Sequence, residues 1–352
     1  MGVFLKKGLF YIGMVMALVS LSACGKEAET ENGEIPELTA PVEPTATPEP
    51  TATPEPTATP KPTATPEPTH APAKNEGIES PAEYRKIKRE ASGTVESFTY
   101  TTKDYFGNGE EVIKPGYVYL PYGYDEEKQY NVLFLMHSGG SDETEWGLHK
   151  EFSTAKLILD NLIYYGDIEP LIVVCPNGRT GVDYVKKADS GIAFKDFGTE
   201  LRKDLIPYID AHYATYGEYS PEGYDLTEAR DHRALAGFSF GAMQSLNIGL
   251  GECLDVMSWF GAFSPATTTF PAEILSEGIK QFEPYDIRYI YEICGETDMF
   301  CLAAGQRALV GLPELTDKVV MGENLMMQIV PGTHELRVAQ LGLYNFLQLV
   351  FR

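Results

Sequence analysis

From about Ser80 to Arg352, short apolar runs alternate with amphipathic ones, and that alternation restricts the chain to a sheet covered by helices. Leu171–Cys175 is apolar without a break and stops at Pro176-Asn177-Gly178, as expected of a strand buried on both faces of a parallel sheet. Gly116–Leu120, Tyr130–Met136, Arg233–Gly237, Tyr289–Cys294 and Met326–Val330 read as further strands. Between and after them, Glu151–Tyr165, Asp196–His212, Ala242–Leu250 and Leu341–Leu349 have helical character. The expectation is one α/β domain over residues 80–352, with a mostly parallel sheet and helices on both faces.

The first 79 residues read differently. Lys6 and Lys7 precede an apolar run, Gly8 to Ser20, that is short for a permanent bilayer span and suits an export signal. Leu21-Ser22-Ala23-Cys24-Gly25 resembles the bacterial lipoprotein processing box, which implies a leader over 1–23 and acylation of Cys24. A plain signal peptide or a retained anchor helix are the alternatives. Acyl chains on Cys24 would hold the protein outside the cell at a bacterial membrane, each buried methylene adding about 0.8 kcal/mol. The rest of 24–79 repeats Thr-Ala-Thr-Pro-Glu-Pro and has too few large apolar residues to offset its chain entropy, so it is expected to be a disordered linker. As polyproline, Pro44 to Pro68 would reach about 75 Å at about 3.1 Å per residue.

Acidic residues outnumber basic ones by 51 to 28, and no basic cluster is dense enough to follow a phosphate backbone, which excludes nucleic acid as a partner class. Cys175 and Cys294 lie in strand-like runs and read as small core residues. The cysteines lack metal-like pair spacing, and the sequence leaves a Cys253–Cys301 disulfide open.

Gly237-Phe238-Ser239-Phe240-Gly241 stands where a strand is expected to run into a helix. In that setting G-x-S-x-G forces the serine onto a tight turn, presents its hydroxyl at the carboxyl end of the sheet, and aims a helix amino end at developing negative charge. A serine hydroxyl is a weak nucleophile without a base held in one tautomer by a carboxylate. In this kind of fold the chain order is Ser, then Asp or Glu, then His, and of six histidines only His334 follows Ser239. Asp298, after the penultimate expected strand, is the preferred orienting acid, with Glu296 the alternative and Asp286 and Asp317 read as surface charges. The oxyanion of an acyl-transfer intermediate needs two donors, expected from the N–H of Phe240 and from the loop His137-Ser138-Gly139-Gly140, with Gly139 preferred and Ser138 next. His137 is expected to hydrogen-bond within its loop, His149, His212 and His232 to sit on the surface or in packing, and His70 falls in the linker. This chemistry needs no metal and no organic cofactor.

At these residues the chain resembles the feruloyl esterases appended to bacterial xylanases, within the putative-esterase group of carbohydrate esterases, the esterase D-like branch of the α/β-hydrolase superfamily. The resemblance runs from about Glu83 to the C-terminus. It rests on Val118–Tyr124, Leu133–Trp146, Leu171–Asn177, Leu205–Ile209, Arg233–Gly249, Gly295–Asp298 and His334–Leu347. It implies an α/β-hydrolase fold, the triad Ser239, Asp298 and His334, and an ester-decorated plant polysaccharide as partner. Phe240 and Ala242 depart from the methionine and glycine usual in the family, and Ser138 stands where glycine is common. These changes narrow the space beside the serine and leave the acyl group open between a hydroxycinnamate and a smaller ester such as acetyl. An acyltransferase and a non-catalytic polysaccharide-binding lipoprotein are the other classes weighed. Trp146 and Trp259 offer an aromatic wall for a cinnamoyl ring, core packing being their other reading.

Overall fold

The computed structural model describes residues 79–187 and 191–352. The expected leader over 1–23, Cys24 and the Pro/Thr-rich repeat lie outside the described residues.

In chain order the elements begin with β1 (Thr94–Lys103), β2 (Glu111–Leu120), β3 (Asn131–Met136), α1 (Thr154–Tyr164) and β4 (Leu171–Pro176). Next, α2 (Gly181–Lys186), α3 (Ile192–Lys195) and α4 (Phe197–Glu200) lead through a π-helical turn, Leu201–Leu205, into α5 (Ile206–His212). β5 (Arg233–Phe238) runs into α6 (Phe240–Gln244), which continues as π-helix over Ser245–Leu250. β6 (Trp259–Phe263), α7 (Ala272–Lys280), β7 (Tyr289–Gly295), α8 (Met299–Leu309), β8 (Leu325–Val330) and α9 (Leu336–Leu347) follow.

The strands form one sheet in the order β1-β2-β4-β3-β5-β6-β7-β8. β1 pairs antiparallel with β2 and β2 antiparallel with β4, while every other pairing is parallel. Alternation along β3 shows how the sheet is covered on both sides. Val132, Phe134 and Met136 pack into a layer with Leu201, Leu205, Leu246 and Ile279, whereas Leu133 and Leu135 face α1 and α9 through Ile158, Leu162 and Phe346. Because β4 is buried on both faces, it reads as an unbroken apolar run, which makes it legible from sequence. Two buried ion pairs tie helices to this frame. Lys114 of β2 meets Glu200 of α4, and Arg233 at the start of β5 donates to Asp210 of α5 at 2.5 Å, with both of the latter side chains about fully enclosed.

The chain order reverses at β3. Strands β4, β2 and β1 lie on one side of it and β5 to β8 on the other, so the loops leaving β3 and β5 part from adjacent strand ends, where Met136 pairs with Gly237. Such a switch point at the carboxyl edge leaves a crevice that open α/β sheets use for ligands.

Several elements differ from the sequence expectation. The expected single amphipathic stretch Asp196–His212 is α4, a π-helical turn and α5 in succession. The helix after the serine begins at Phe240 rather than Ala242, and the closing helix begins at Leu336, two residues past His334. β1, α2, α3, β6, α7 and α8 have no counterpart in the sequence expectation. β1 is an edge strand that buries only Phe98, Tyr100 and Thr102 on one face, and β6 is five residues long.

Candidate active site

The elbow is shaped by sterics. Ser239 has φ 58° and ψ −109°, a conformation that costs a side-chain-bearing residue on the order of 1–3 kcal/mol. The surroundings enforce it: Ser239 N–H donates to Phe263 O at 2.9 Å, and its own carbonyl accepts from Met243 and Ala266. A Cβ on Gly237 would lie 2.8 Å from Met136 Cβ and 2.7 Å from the backbone of Gly241, and one on Gly241 would lie 2.7 Å from Met136. Only glycine at both positions lets the turn close against β3.

Three loops at the carboxyl edge converge on this hydroxyl. His334 Nε2 lies 3.0 Å from Ser239 Oγ, and His334 Nδ1 lies 2.6 Å from Asp298 Oδ2. Asp298 leaves β7 and forms the N-terminal cap position of α8, while His334 follows β8. The two loops are laced together, Glu296 N–H donating to Val330 O and Thr297 donating to Gly332 O through both N–H (3.1 Å) and Oγ (2.6 Å). Glu296 itself points to solvent, as do Asp286 and Asp317. The imidazole stacks on Phe238, ring centroids 4.7 Å apart, so packing fixes its plane as the carboxylate fixes its tilt. The Asp298 side chain is 6% exposed and that of His334 40%, which leaves the base reachable from solvent over a shielded acid.

The glycine loop after β3 is held from beneath. Ser138 N–H donates to Glu145 Oε2 at 2.6 Å and its hydroxyl also reaches that carboxylate, so the Ser138 amide is occupied. Gly139 is the next amide. A Cβ there would stand 2.5 Å from Phe240 Cδ2, so the glycine loop lies directly against the Phe240 ring. Phe240 opens α6, where the first N–H groups have no intrahelical acceptor. His137 is wholly internal: Gly178 N–H donates to its Nε2 at 3.0 Å, which places the proton on Nδ1, donating to Ser138 O at 2.7 Å. Burial pushes its pKa down to about 4, so the ring stays neutral and serves as a strut.

Trp146 and Trp259 do not form an aromatic wall. Trp146 is buried, donates its indole N–H to Met136 O and packs edge-on to Phe263. Trp259 starts β6, at the opposite end of the strands from Ser239, donates to Asp231 O and packs on Phe351. The aromatic surface beside the serine comes instead from Phe240, half-buried, its ring tilted against Phe194 with centroids 5.0 Å apart, in a cluster with Met243 and Ala266. Phe194 belongs to α3, whose position no sequence signal announced. Exposed Met299 and Phe300 follow Asp298 directly.

Cys253 and Cys301 are both free thiols, as are Cys175 and Cys294, all four buried. Cys301 was not expected near the site, yet its Sγ is 3.4 Å from His334 Nδ1. Burial, and after it the Asp298 charge, pushes this thiol well above its usual range, so it is no thiolate. His212 and His232 stack on Tyr208 and Tyr216, and His149 lies exposed beside Tyr117.

A cleft of about 270 Å³ opens at the same sheet edge beyond the glycine loop, lined by Gly140, Asp142, Asn177, Arg179, Tyr184 and Lys187 among others. An alcohol, a base and a carboxylate in hydrogen-bond series, beside the start of a helix and a glycine loop, can perform acyl transfer through a covalent intermediate.

Residues 114–286 match the family model described as "Putative esterase". Endo-1,4-beta-xylanase Y of Acetivibrio thermocellus is 36% identical over 144 residues, which cover 41% of this chain and 12% of that protein. An endo-1,4-beta-xylanase/feruloyl esterase of Xylanibacter ruminicola is 30% identical over 231 residues, 63% of this chain and 28% of that one. The present chain thus spans under a third of the length of these curated relatives. The solved structure of a mutant feruloyl esterase module from Clostridium thermocellum, complexed with sinapinate, is similar with a TM-score of 0.63 at 26% identity, over 78% of this chain and 93% of that one. By its sheet, its elbow and these matches, the chain has the α/β-hydrolase fold and carries a putative-esterase domain over residues 114–286.

Proposed function

We propose that the chain is a serine carboxylic-ester hydrolase that releases hydroxycinnamate, as a feruloyl esterase, from side chains of plant xylan. The observation that carries this reading is the unbroken series from Asp298 Oδ2 to His334 Nδ1 at 2.6 Å and from His334 Nε2 to Ser239 Oγ at 3.0 Å. Nδ1 donates its proton to the carboxylate, so the Nε2 lone pair faces the hydroxyl. His334 takes the Ser239 proton as Oγ adds to the ester carbonyl, and Asp298 stabilises the imidazolium that results. The amides of Phe240 and Gly139 receive the oxyanion, preorganised by a helix start and by a loop that Glu145 clamps. His334 then protonates the departing sugar hydroxyl, and water, deprotonated by the same imidazole, releases the acid from Ser239.

The substrate side of the reading rests on the surroundings. The Phe240 ring and exposed Met299 and Phe300 give an apolar flank for an aromatic acyl group, and the polar cleft beyond Gly140 suits a sugar. The relatives named for xylanase and feruloyl esterase activity support the same substrate class. Phe240, lying against Gly139, also favours a second reading with a smaller acyl group. Methyl ferulate, acetylated xylan and p-nitrophenyl acetate, assayed side by side, separate the two: a kcat/KM for the ferulate above that for the acetates supports the first, and the reverse order the second.

We infer further that the protein works outside the cell, tethered through acylated Cys24 on a proline-rich stalk. The support is the Leu21-Ser22-Ala23-Cys24 box and the repeat that follows it. Metabolic labelling with palmitate, compared with a Cys24→Ala chain, tests it: label that persists in the variant refutes the anchor.

A further inference from the structure

Asp298, Cys301 and His334 place a carboxylate oxygen, a thiol sulfur and an imidazole nitrogen within 4.8 Å of one another, and the ester-cleaving mechanism leaves the sulfur without a task. Asp298 and Cys301 lie three residues apart at the first turn of α8, and His334 reaches them from the loop after β8. We propose that these three side chains form a binding site for a thiophilic divalent cation such as zinc, and that its occupation switches the esterase off.

The donor set decides the class of ion. Thiolate and imidazole together select zinc-like metals over magnesium or calcium, which take oxygen ligands. The spacing fits as well. Bonds of about 2.3 Å to sulfur and about 2.0 Å to nitrogen at a tetrahedral angle separate the two ligand atoms by about 3.5 Å, and Cys301 Sγ stands 3.4 Å from His334 Nδ1. The carboxylate, now hydrogen-bonded to Nδ1 at 2.6 Å, must move back by less than about 1 Å to become the third ligand. A water enters the fourth position from the side on which His334 is exposed.

The inhibitory consequence rests on the esterase reading and follows from the imidazole tautomer. Coordination uses the Nδ1 lone pair, so the neutral ring must carry its proton on Nε2. The proton on Nδ1 therefore passes through solvent to Nε2, and the thiol proton of Cys301 is released, one proton leaving per metal bound. Nε2–H then donates to Ser239 Oγ in place of accepting from it, and the nucleophile has no base. Nothing is oxidised or reduced, and a chelator reverses the change.

The test uses the full chain, with zinc chloride and cobalt chloride as probes. Hydrolysis of p-nitrophenyl acetate should fall with zinc at one equivalent per chain, recover with EDTA, and be insensitive to magnesium and calcium. Cys301→Ser and Cys301→Ala, each read against its own zinc-free rate, should need at least about 100-fold more zinc for half inhibition, since even outer-shell changes cost 10–100-fold in metal affinity. Cobalt should give a thiolate-to-metal charge-transfer band that persists in Ser239→Ala and vanishes in both Cys301 variants. The band does not depend on turnover, so a chain that cleaves no ester still tests the site. Equal zinc sensitivity with and without the thiol, equal inhibition by magnesium, or a wild-type chain without the cobalt band overturns the proposal.

Discussion

Replacing Glu292 by glutamine should remove a pH dependence of stability whose size follows from where the carboxyl sits. Glu292 lies in β7, wholly enclosed, and neither of its oxygens has a hydrogen-bond partner among the described residues. α8 packs on it so closely that a Cβ on Gly305 would stand 2.7 Å from its Oε1. Burial pushes its pKa up from 4.5 to about 8. The folded protein therefore holds a proton that the unfolded chain releases near pH 4.5. Between about pH 4.5 and 8 the native state binds more protons than the unfolded state, so this group's contribution is intact below that window and is lost as pH rises through it. At about 1.36 kcal/mol per unit, the full window is worth on the order of 3–5 kcal/mol. Urea unfolding of wild type and Glu292→Gln, followed by circular dichroism at intervals from about pH 5 to 9, reads the difference directly. The glutamine cannot ionise, so the gap between the two should move in the variant's favour by several kcal/mol across the series. Two stability curves that run parallel with pH would falsify the assignment of a neutral buried carboxyl.

Three further perturbations probe the frame and the site. Asp298→Asn keeps the shape but presents the wrong partner to His334 Nδ1, so kcat should drop by about 10³- to 10⁴-fold with KM little altered, and a loss under tenfold in steady-state kinetics contradicts the role given to the carboxylate. Gly139→Ala drives a Cβ to within 2.5 Å of the Phe240 ring, so the glycine loop must shift, carrying the Gly139 amide with it, and kcat should fall about 100-fold while the circular dichroism spectrum stays native. Asp210→Ala leaves the enclosed Arg233 guanidinium without its carboxylate, and urea denaturation should show a loss of roughly 3–5 kcal/mol; a loss within about 0.5 kcal/mol would mean that Leu226 O and Val256 O, its other acceptors, suffice.

The site was legible where sterics or chain order leave few choices. The two glycines of the elbow are demanded by contacts with Met136, so the pentapeptide and its strand-to-helix setting could be read together. His334 followed from order alone, and Asp298 from its place after β7. What stayed hidden depends on contacts between distant segments. Cys301 touches His334 across 33 positions through an α8 that was not anticipated, and Phe194 reaches Phe240 through a four-residue helix. The tryptophans misled because aromatic size signals burial or recognition equally, and only the register of β6, with Trp259 paired to Tyr289 at the strand beginnings, shows which applies. The edge strand β1 escaped because it buries one face in part and has no continuous apolar run. Ser138, the other candidate donor, is set aside only by its hydrogen bond to Glu145.

The measurement closest to the central claim is the rate of methyl ferulate hydrolysis by wild-type chain and by Ser239→Ala, with the wild type quenched during turnover and its peptides weighed. An ester-cleaving wild type that carries a feruloyl mass on the Ser239 peptide, and a variant slower by at least about 10³-fold, is the predicted result. Undiminished hydrolysis by Ser239→Ala, or an acyl group found on any other residue, contradicts it.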